Sequence, residues 1–171
     1  LEAEVLYGGI MIDTNNFTNR TGVRTFEAAA YLKKNGADIT RVRRMFRDDI
    51  VDYKTKAAAI QNTEIYKEEY AISVCAGKDA SSSTVVGAQV ANELLNVKGV
   101  KASFVCTPYN DQIYISARSI DKINVQLIME EFGGGGHMNL AGAQVRDKSL
   151  GEVVQILKNI ISKRIEEGDF E

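Results

Sequence analysis

Cysteine and histidine are scarce in this chain of 171 residues, which has two cysteines and one histidine. Cys75 and Cys106 each lie in an apolar stretch, and their spacing matches neither a zinc site nor a disulfide framework. We therefore expect both to be small buried core residues and the chain to be cytoplasmic, in a reducing compartment. His137 alone cannot build a metal site of several histidines.

Neither sign of charge dominates, since 21 Lys and Arg stand against 23 Asp and Glu, for a net charge of −2. This balance argues against a strongly basic protein that coats nucleic acid, and we expect no binding of duplex DNA. A small anionic ligand in a local basic pocket remains compatible with it. Hydrophobic residues make up 44% of the chain, which is ordinary for a globular protein that folds without disulfide or metal.

Long apolar runs are also missing. Residues 120–129 form the longest apolar stretch, and four charged or amide side chains interrupt it. We therefore expect no membrane span or membrane contact within this chain, and no signal peptide is recognisable. The chain begins at Leu1 rather than at methionine. We expect it to be a piece of a longer protein, whose anchor in the cell membrane would lie upstream.

Two patterns divide the chain. Residues 1–66 have helical spacing, with a first helix ending at Asp13, helices capped by Thr25 and Thr40, and a fourth helix over 52–65. Residues 67–171 alternate between strands, predicted over 70–77, 100–107, 112–117 and 141–146, and helices, predicted over 82–95, after Asn124 and after Ser149. A turn over 108–111 is predicted to join the second and third of these strands. We therefore predict the α/β class, with a helical segment in 1–66 and a small α/β domain with a mixed sheet in 67–171.

Four consecutive glycines are the strongest local signal. They are Gly133, Gly134, Gly135 and Gly136, and His137 follows them. Such a run costs conformational entropy, so it indicates unusual backbone dihedrals or the close approach of a ligand. Successive amides in such a loop can form a concave anion site, to which the imidazole would add a hydrogen bond. The alternative is a flexible connection between helix and strand.

Two further residues are candidates for a phosphate and metal site. Arg118 ends a predicted strand, where ligands gather in α/β sheets, and its guanidinium suits bidentate phosphate binding. A surface arginine is the alternative. Asp13 ends a helix, where a carboxylate opposes the helix dipole and a metal cation would compensate. A solvated acid is the alternative, and a single carboxylate is too few ligands for a hard cation.

Five segments give the chain a family resemblance. Residues 8–17 (GGIMIDTNNF) and 20–29 (RTGVRTFEAA) resemble the last motif of the DHH phosphoesterase domain. Residues 116–119 (SARS), 133–137 (GGGGH) and 141–144 (AGAQ) resemble the DHH-associated domain that follows it. Among DHH superfamily phosphoesterases, the chain is most similar to the C-terminal part of the GdpP-type cyclic di-AMP phosphodiesterases.

The resemblance implies a manganese-dependent hydrolase that converts cyclic di-AMP to pApA with two Mn²⁺ ions. It implies that Asp13 is a metal ligand and that Ser116, Arg118, the four glycines and His137 bind the substrate nucleotide. The Asp-His-His signature and the other metal ligands are missing from this sequence. We therefore expect the chain by itself to bind nucleotide but not to hydrolyse it.

Two other functions stay open. One is a nanoRNase, an exonuclease of the same superfamily that acts on short oligonucleotides, so that the partner is a cyclic dinucleotide or a short RNA. Aromatic residues make up only 8% of the chain, which favours a compact ligand over a tracked single strand. The other is a nucleotide-binding module without chemistry of its own. A homodimer is compatible with either function.

Overall fold

The computed structural model describes residues 1–18, 20–76, 83–120 and 122–168. The chain forms two compact units, Leu1–Asp48 and Asp49–Glu171. The division between compact units therefore falls before the fourth helix, which packs with the second unit. The predicted domain boundary at residue 66 separates two family segments rather than two compact units, and it stays a prediction.

Among its described residues, the first unit has three helices: α1 (Glu2–Asp13), α2 (Val23–Lys34) and α3 (Ile39–Met45). Its small core contains Tyr7, Ala29, Ala37 and Val42. The first helix ends at Asp13, as predicted from its apolar spacing.

Both predicted threonine caps in this unit are wrong. Helix α2 begins after Gly22, which has extended dihedrals, and Thr25 lies in the first turn, where its hydroxyl accepts a hydrogen bond from the Gly22 amide at 3.3 Å. Helix α3 is capped by Asp38, whose carboxylate accepts hydrogen bonds from the amides of Thr40 and Arg41. Asp38 has extended backbone dihedrals and a carboxylate that accepts amide hydrogen bonds, so it is a better N-cap than Thr40, which already lies inside the first turn.

The second unit has four helices and six strands among its described residues. They are α4 (Ile50–Gln61), β1 (Glu64–Tyr66), β2 (Tyr70–Val74), α5 (Ser83–Leu94), β3 (Ala102–Tyr109), β4 (Gln112–Ser119), α6 (Val125–Glu130), β5 (Gly135–His137), β6 (Leu140–Val145) and α7 (Leu150–Glu166). The sheet order is β1-β2-β3-β4-β6-β5. Strands β2 and β3 are parallel and the other neighbours are antiparallel, so the predicted α/β class with a mixed sheet is confirmed.

Two short strands were not predicted. The helix expected over 52–65 ends at Gln61, and Glu64–Tyr66 forms β1, which pairs with β2. Strand β5 lies inside the glycine run, where the sequence has no β-branched residue to mark it. The predicted hairpin turn is confirmed, since Asn110 and Asp111 have φ angles of 48° and 56° between β3 and β4.

The sheet separates two apolar cores. Phe104, Cys106 and Ile115 pack with α6 and α7 on one face, which we call the core face. Val105 and Cys75 pack with α4 and α5 on the other face, which we call the α5 face. Both cysteines are buried, as expected, and they lie on opposite faces of the sheet. Within the described ranges, no helix is long and apolar enough to cross a bilayer.

Candidate nucleotide-binding face

Strand β4 presents the two predicted polar residues on one side of the sheet. Along β4, buried residues alternate with half-buried ones, because successive side chains point to opposite faces. Ile115 and Ala117 point into the core face, whereas Ser116 and Arg118 point to the α5 face. The alternation therefore puts both predicted residues on the same surface.

The register of β4, β6 and β5 brings the remaining predicted residues to this surface. Arg118 is opposite Leu140, which is opposite His137 in β5. Ser116 is opposite Gly142, and Gly142 is opposite Gly135. Paired residues share a face, and adjacent strands lie about 4.8 Å apart, so the Cα atoms of Arg118 and His137 are roughly 10 Å apart.

Arg118 is held in place from one side. Its Nε donates a hydrogen bond to Asn92 Oδ1 on α5 at 3.0 Å, and its Nη1 donates to the Ala117 carbonyl at 2.9 Å. Burial lowers the pKa of the Arg118 guanidinium, because desolvation disfavours the charged form. An arginine still stays protonated near neutral pH, so an anion at this position would restore part of the lost solvation.

The glycine run does not form the predicted nest of free amides. Gly133 has a φ of 73° and lies in the turn after α6, and its amide donates to the Glu130 carbonyl at 2.9 Å. The Gly134 amide donates to the Met129 carbonyl at 2.9 Å, which completes a Schellman cap. The expectation that successive glycine amides surround an anion is therefore wrong for the first two, whose amides satisfy helix carbonyls.

Packing explains two of the glycines and leaves a third unexplained. A Cβ atom at Gly134 would overlap the Gly142 carbonyl, and one at Gly136 would overlap Leu140 and Ala141. A Cβ atom at Gly135 would meet nothing within 4 Å. Gly135 lies on the edge strand β5, so the absence of a side chain leaves room for a ligand to approach the backbone there.

A cleft of about 560 Å³ opens on the same surface, within the range typical of small-molecule sites. Ser116, Gly133 and Gly134 line it, and Arg118 lies one position further along the same face of β4. Four polar lining residues were not predicted: Thr84, Tyr114, Gln144 and Arg146. Because side chains of β4 alternate between the two faces, the position of Ser116 could have predicted that Tyr114 lies on the same face. Gln144 is the last residue of the motif 141–144 (AGAQ) described above.

Asp13 lies in the first unit, at the exposed end of α1. Among the described residues, no three His, Cys, Asp or Glu side chains lie close enough together to hold a metal ion. One carboxylate does not meet the ligand number of a divalent cation such as Mn²⁺. The described residues therefore do not fit a two-manganese centre by themselves.

The chain belongs to the DHHA1 domain family, whose model matches residues 67–163. It is 43% identical over 162 residues to the cyclic-di-AMP phosphodiesterase PdeA of Listeria monocytogenes, covering 94% of this chain and 24% of the relative. It is 42% identical over 170 residues to the cyclic-di-AMP phosphodiesterase GdpP of Geobacillus thermodenitrificans, covering 98% of this chain and 26% of the relative. The predicted resemblance to DHH superfamily phosphodiesterases of the GdpP type is confirmed.

The fold has a solved counterpart. An exopolyphosphatase-related protein from Bacteroides fragilis superposes with a TM-score of 0.84 at 23% identity, covering 95% of this chain and 50% of that protein. At this identity the likeness concerns the fold. The chain spans about a quarter of the length of the two phosphodiesterases it matches.

Proposed function

We propose that this chain is the substrate-binding part of a phosphodiesterase that hydrolyses cyclic di-AMP to pApA. One observation carries the proposal: the strand register aligns Arg118, Ser116, Gly135 and His137 on one face of the sheet. The two phosphodiesterases named above, with at least 42% identity over nearly the whole chain, support the choice of cyclic di-AMP.

Each of these residues has a role in binding. The Arg118 guanidinium, fixed through its Nε by Asn92, offers its remaining N–H groups to a phosphate. The Ser116 hydroxyl lies next to it on the same face and can donate to the same anion. His137 is exposed on the edge strand and can donate from the far side. Gly135 lets the nucleotide approach the backbone between them.

Hydrolysis is proposed for the whole protein rather than for this chain. The manganese ions of the family would supply the Lewis acid and the activated water. Asp13 is proposed as one ligand, and the other ligands are not among the described residues. In the proposed reaction this chain binds and orients the nucleotide. The protein would act in the cytoplasm, and an upstream anchor in the membrane stays a proposal.

Calorimetric titration of the chain with cyclic di-AMP tests the binding role. Arg118→Ala should weaken binding by about 1.5–3 kcal/mol, the range for a hydrogen bond to a charged group. Lys163→Ala is the matched control, because it removes one positive charge from α7, which packs on the core face. An unchanged dissociation constant in Arg118→Ala would exclude Arg118 from the site.

Chromatography of the same mixtures tests whether this chain binds the nucleotide without hydrolysing it. With Mn²⁺ added, this chain should leave cyclic di-AMP intact, because the described residues include no complete metal site. Turnover by the chain alone would show that its metal ligands have been miscounted. A parallel assay of the whole protein with cyclic di-AMP and short RNA separates a cyclic dinucleotide hydrolase from a nanoRNase.

A further inference from the structure

The cleft beside Ser116 extends past the residues that the proposed function uses. Along β4 the α5 face presents Arg118, then Ser116, then Tyr114. Alternate residues of a strand are about 6.8 Å apart, so Tyr114 lies about 14 Å from Arg118 along the strand. A phosphate bound at Arg118 would therefore not reach the far end of the cleft.

Tyr114 forms an aromatic wall at that end. Its ring contacts the Tyr109 ring edge-on, with centroids 6.2 Å apart and an interplanar angle of 62°. Such a contact holds the two rings at a fixed angle to each other. Tyr114 is half-buried and lines the cleft. It therefore presents a platform of the kind on which nucleobases stack.

Gln144 lies directly beside this ring. It is opposite Tyr114 in the antiparallel pair of β4 and β6, so the two Cβ atoms are about 5 Å apart. Its side chain is exposed and lines the same cleft. An amide has both a donor and an acceptor, which allows it to pair with the edge of a base that stacks on the neighbouring ring.

The charge of the cleft favours an anion. Arg146 lines it just after β6, and none of the described lining residues is acidic. Thr84, in the first turn of the 12-residue helix α5, lines it too, so the positive end of the helix dipole points toward the same space. The guanidinium and the helix end together make the region electropositive in a chain with a net charge of −2.

We propose that this cleft is a second nucleotide subsite, in which Tyr114 stacks on a base, Gln144 pairs with the base edge and Arg146 binds the attached phosphate. The proposal rests on the proposed function, since it assigns the second nucleotide of a dinucleotide whose first phosphate is bound at Arg118. The ligand class is a dinucleotide, cyclic or linear.

Calorimetric titration of the chain with two ligands, AMP and linear pApA, tests the subsite. Tyr114→Leu should weaken pApA binding about tenfold, within the range for the loss of one stacked base, and leave AMP binding unchanged. Arg146→Gln should act in the same direction. This residue is exposed, so the second variant gives a result even if Tyr114→Leu fails to fold. Arg118→Ala should weaken both ligands, and Lys163→Ala should affect neither.

Different results overturn the two proposals. If Arg118→Ala weakens binding but Tyr114→Leu and Arg146→Gln leave pApA affinity unchanged, the subsite is wrong and the proposed function stands. Equal weakening of AMP and pApA by Tyr114→Leu also overturns the subsite, because the ring would then contact the first nucleotide. If the unmodified chain binds neither ligand, the proposed function itself fails.

Discussion

Two adjacent glycines in the run should respond in opposite ways to the same small change. Gly136→Ala adds a methyl group that would overlap the Leu140 carbonyl and Ala141, at a residue whose φ is 149°. Gly135→Ala adds the same group in open space, where no atom lies within 4 Å. The pair therefore separates what the fold requires of the glycine run from what a ligand requires.

The structure sets the magnitude of each effect. A non-glycine residue in such a backbone region costs about 1–3 kcal/mol, and overlap with fixed neighbours costs about as much again. We expect Gly136→Ala to lower the free energy of unfolding by about 3 kcal/mol. For the second unit this corresponds to a fall in Tm of about 10 °C. Gly135→Ala should leave Tm unchanged or raise it slightly, because alanine reduces the entropy of the unfolded chain.

Thermal unfolding followed by circular dichroism measures both variants, and titration with cyclic di-AMP measures their binding. Gly135→Ala should keep the fold and weaken binding, because its methyl group occupies the open space that the proposed ligand approaches. An equal loss of Tm in both variants would refute the packing argument. A stable Gly135→Ala with unchanged affinity would remove this glycine from the proposed site.

Two further predictions concern the half-buried Asn92 and the buried Cys106. Asn92→Ala should weaken nucleotide binding about fivefold, or about 1 kcal/mol, because Asn92 accepts the Nε hydrogen bond of Arg118. In an Arg118→Ala background it should have no effect, and additive losses in the double variant would contradict a positioning role. Burial raises the pKa of Cys106 from 9.0 to about 12, so above pH 9 the folded chain retains a proton that the unfolded chain releases. The free energy of unfolding should therefore fall by about 1.4 kcal/mol between pH 8 and pH 10, as measured by urea denaturation. Cys106→Val should reduce this slope, and an identical slope in both proteins would argue against the shift.

Local sequence patterns named the residues of the candidate site but did not predict how these residues are arranged in space. Arg118 and His137 became candidates because the first stands at a predicted strand end and the second follows the glycine run, and Ser116 became one through the family resemblance. Which side of the sheet they face depends on the pairing of β4 with β6 and of β6 with β5. Strands β4 and β6 are separated in the chain by α6 and β5, so no local pattern contains their pairing, whereas β5 and β6 follow one another directly.

The glycine run shows most clearly what a local sequence pattern does not predict. Its length indicated unusual backbone, and φ angles of 73° at Gly133 and 149° at Gly136 confirm that. The expectation of free amides was wrong for Gly133 and Gly134, because carbonyls of α6 accept hydrogen bonds from both. The need of helix carbonyls for donors is general, but which donors they find is decided by where the helix ends.

The sequence by itself determined the α/β class, the order of most helices and strands, the hairpin turn at Asn110 and Asp111, and the family, because these follow from periodicity, turn chemistry and motif spacing. Tertiary structure alone decided that β1 and β5 are strands, that Asn92 holds Arg118, and that Tyr114, Gln144 and Arg146 line one cleft. The physical reason is that the contact between Asn92 and Arg118 and the pairing of β4 with β6 join residues far apart in the chain, whereas propensity acts within a few residues of each position. Strands β1 and β5 have three residues each and are strands only through their pairing with β2 and β6.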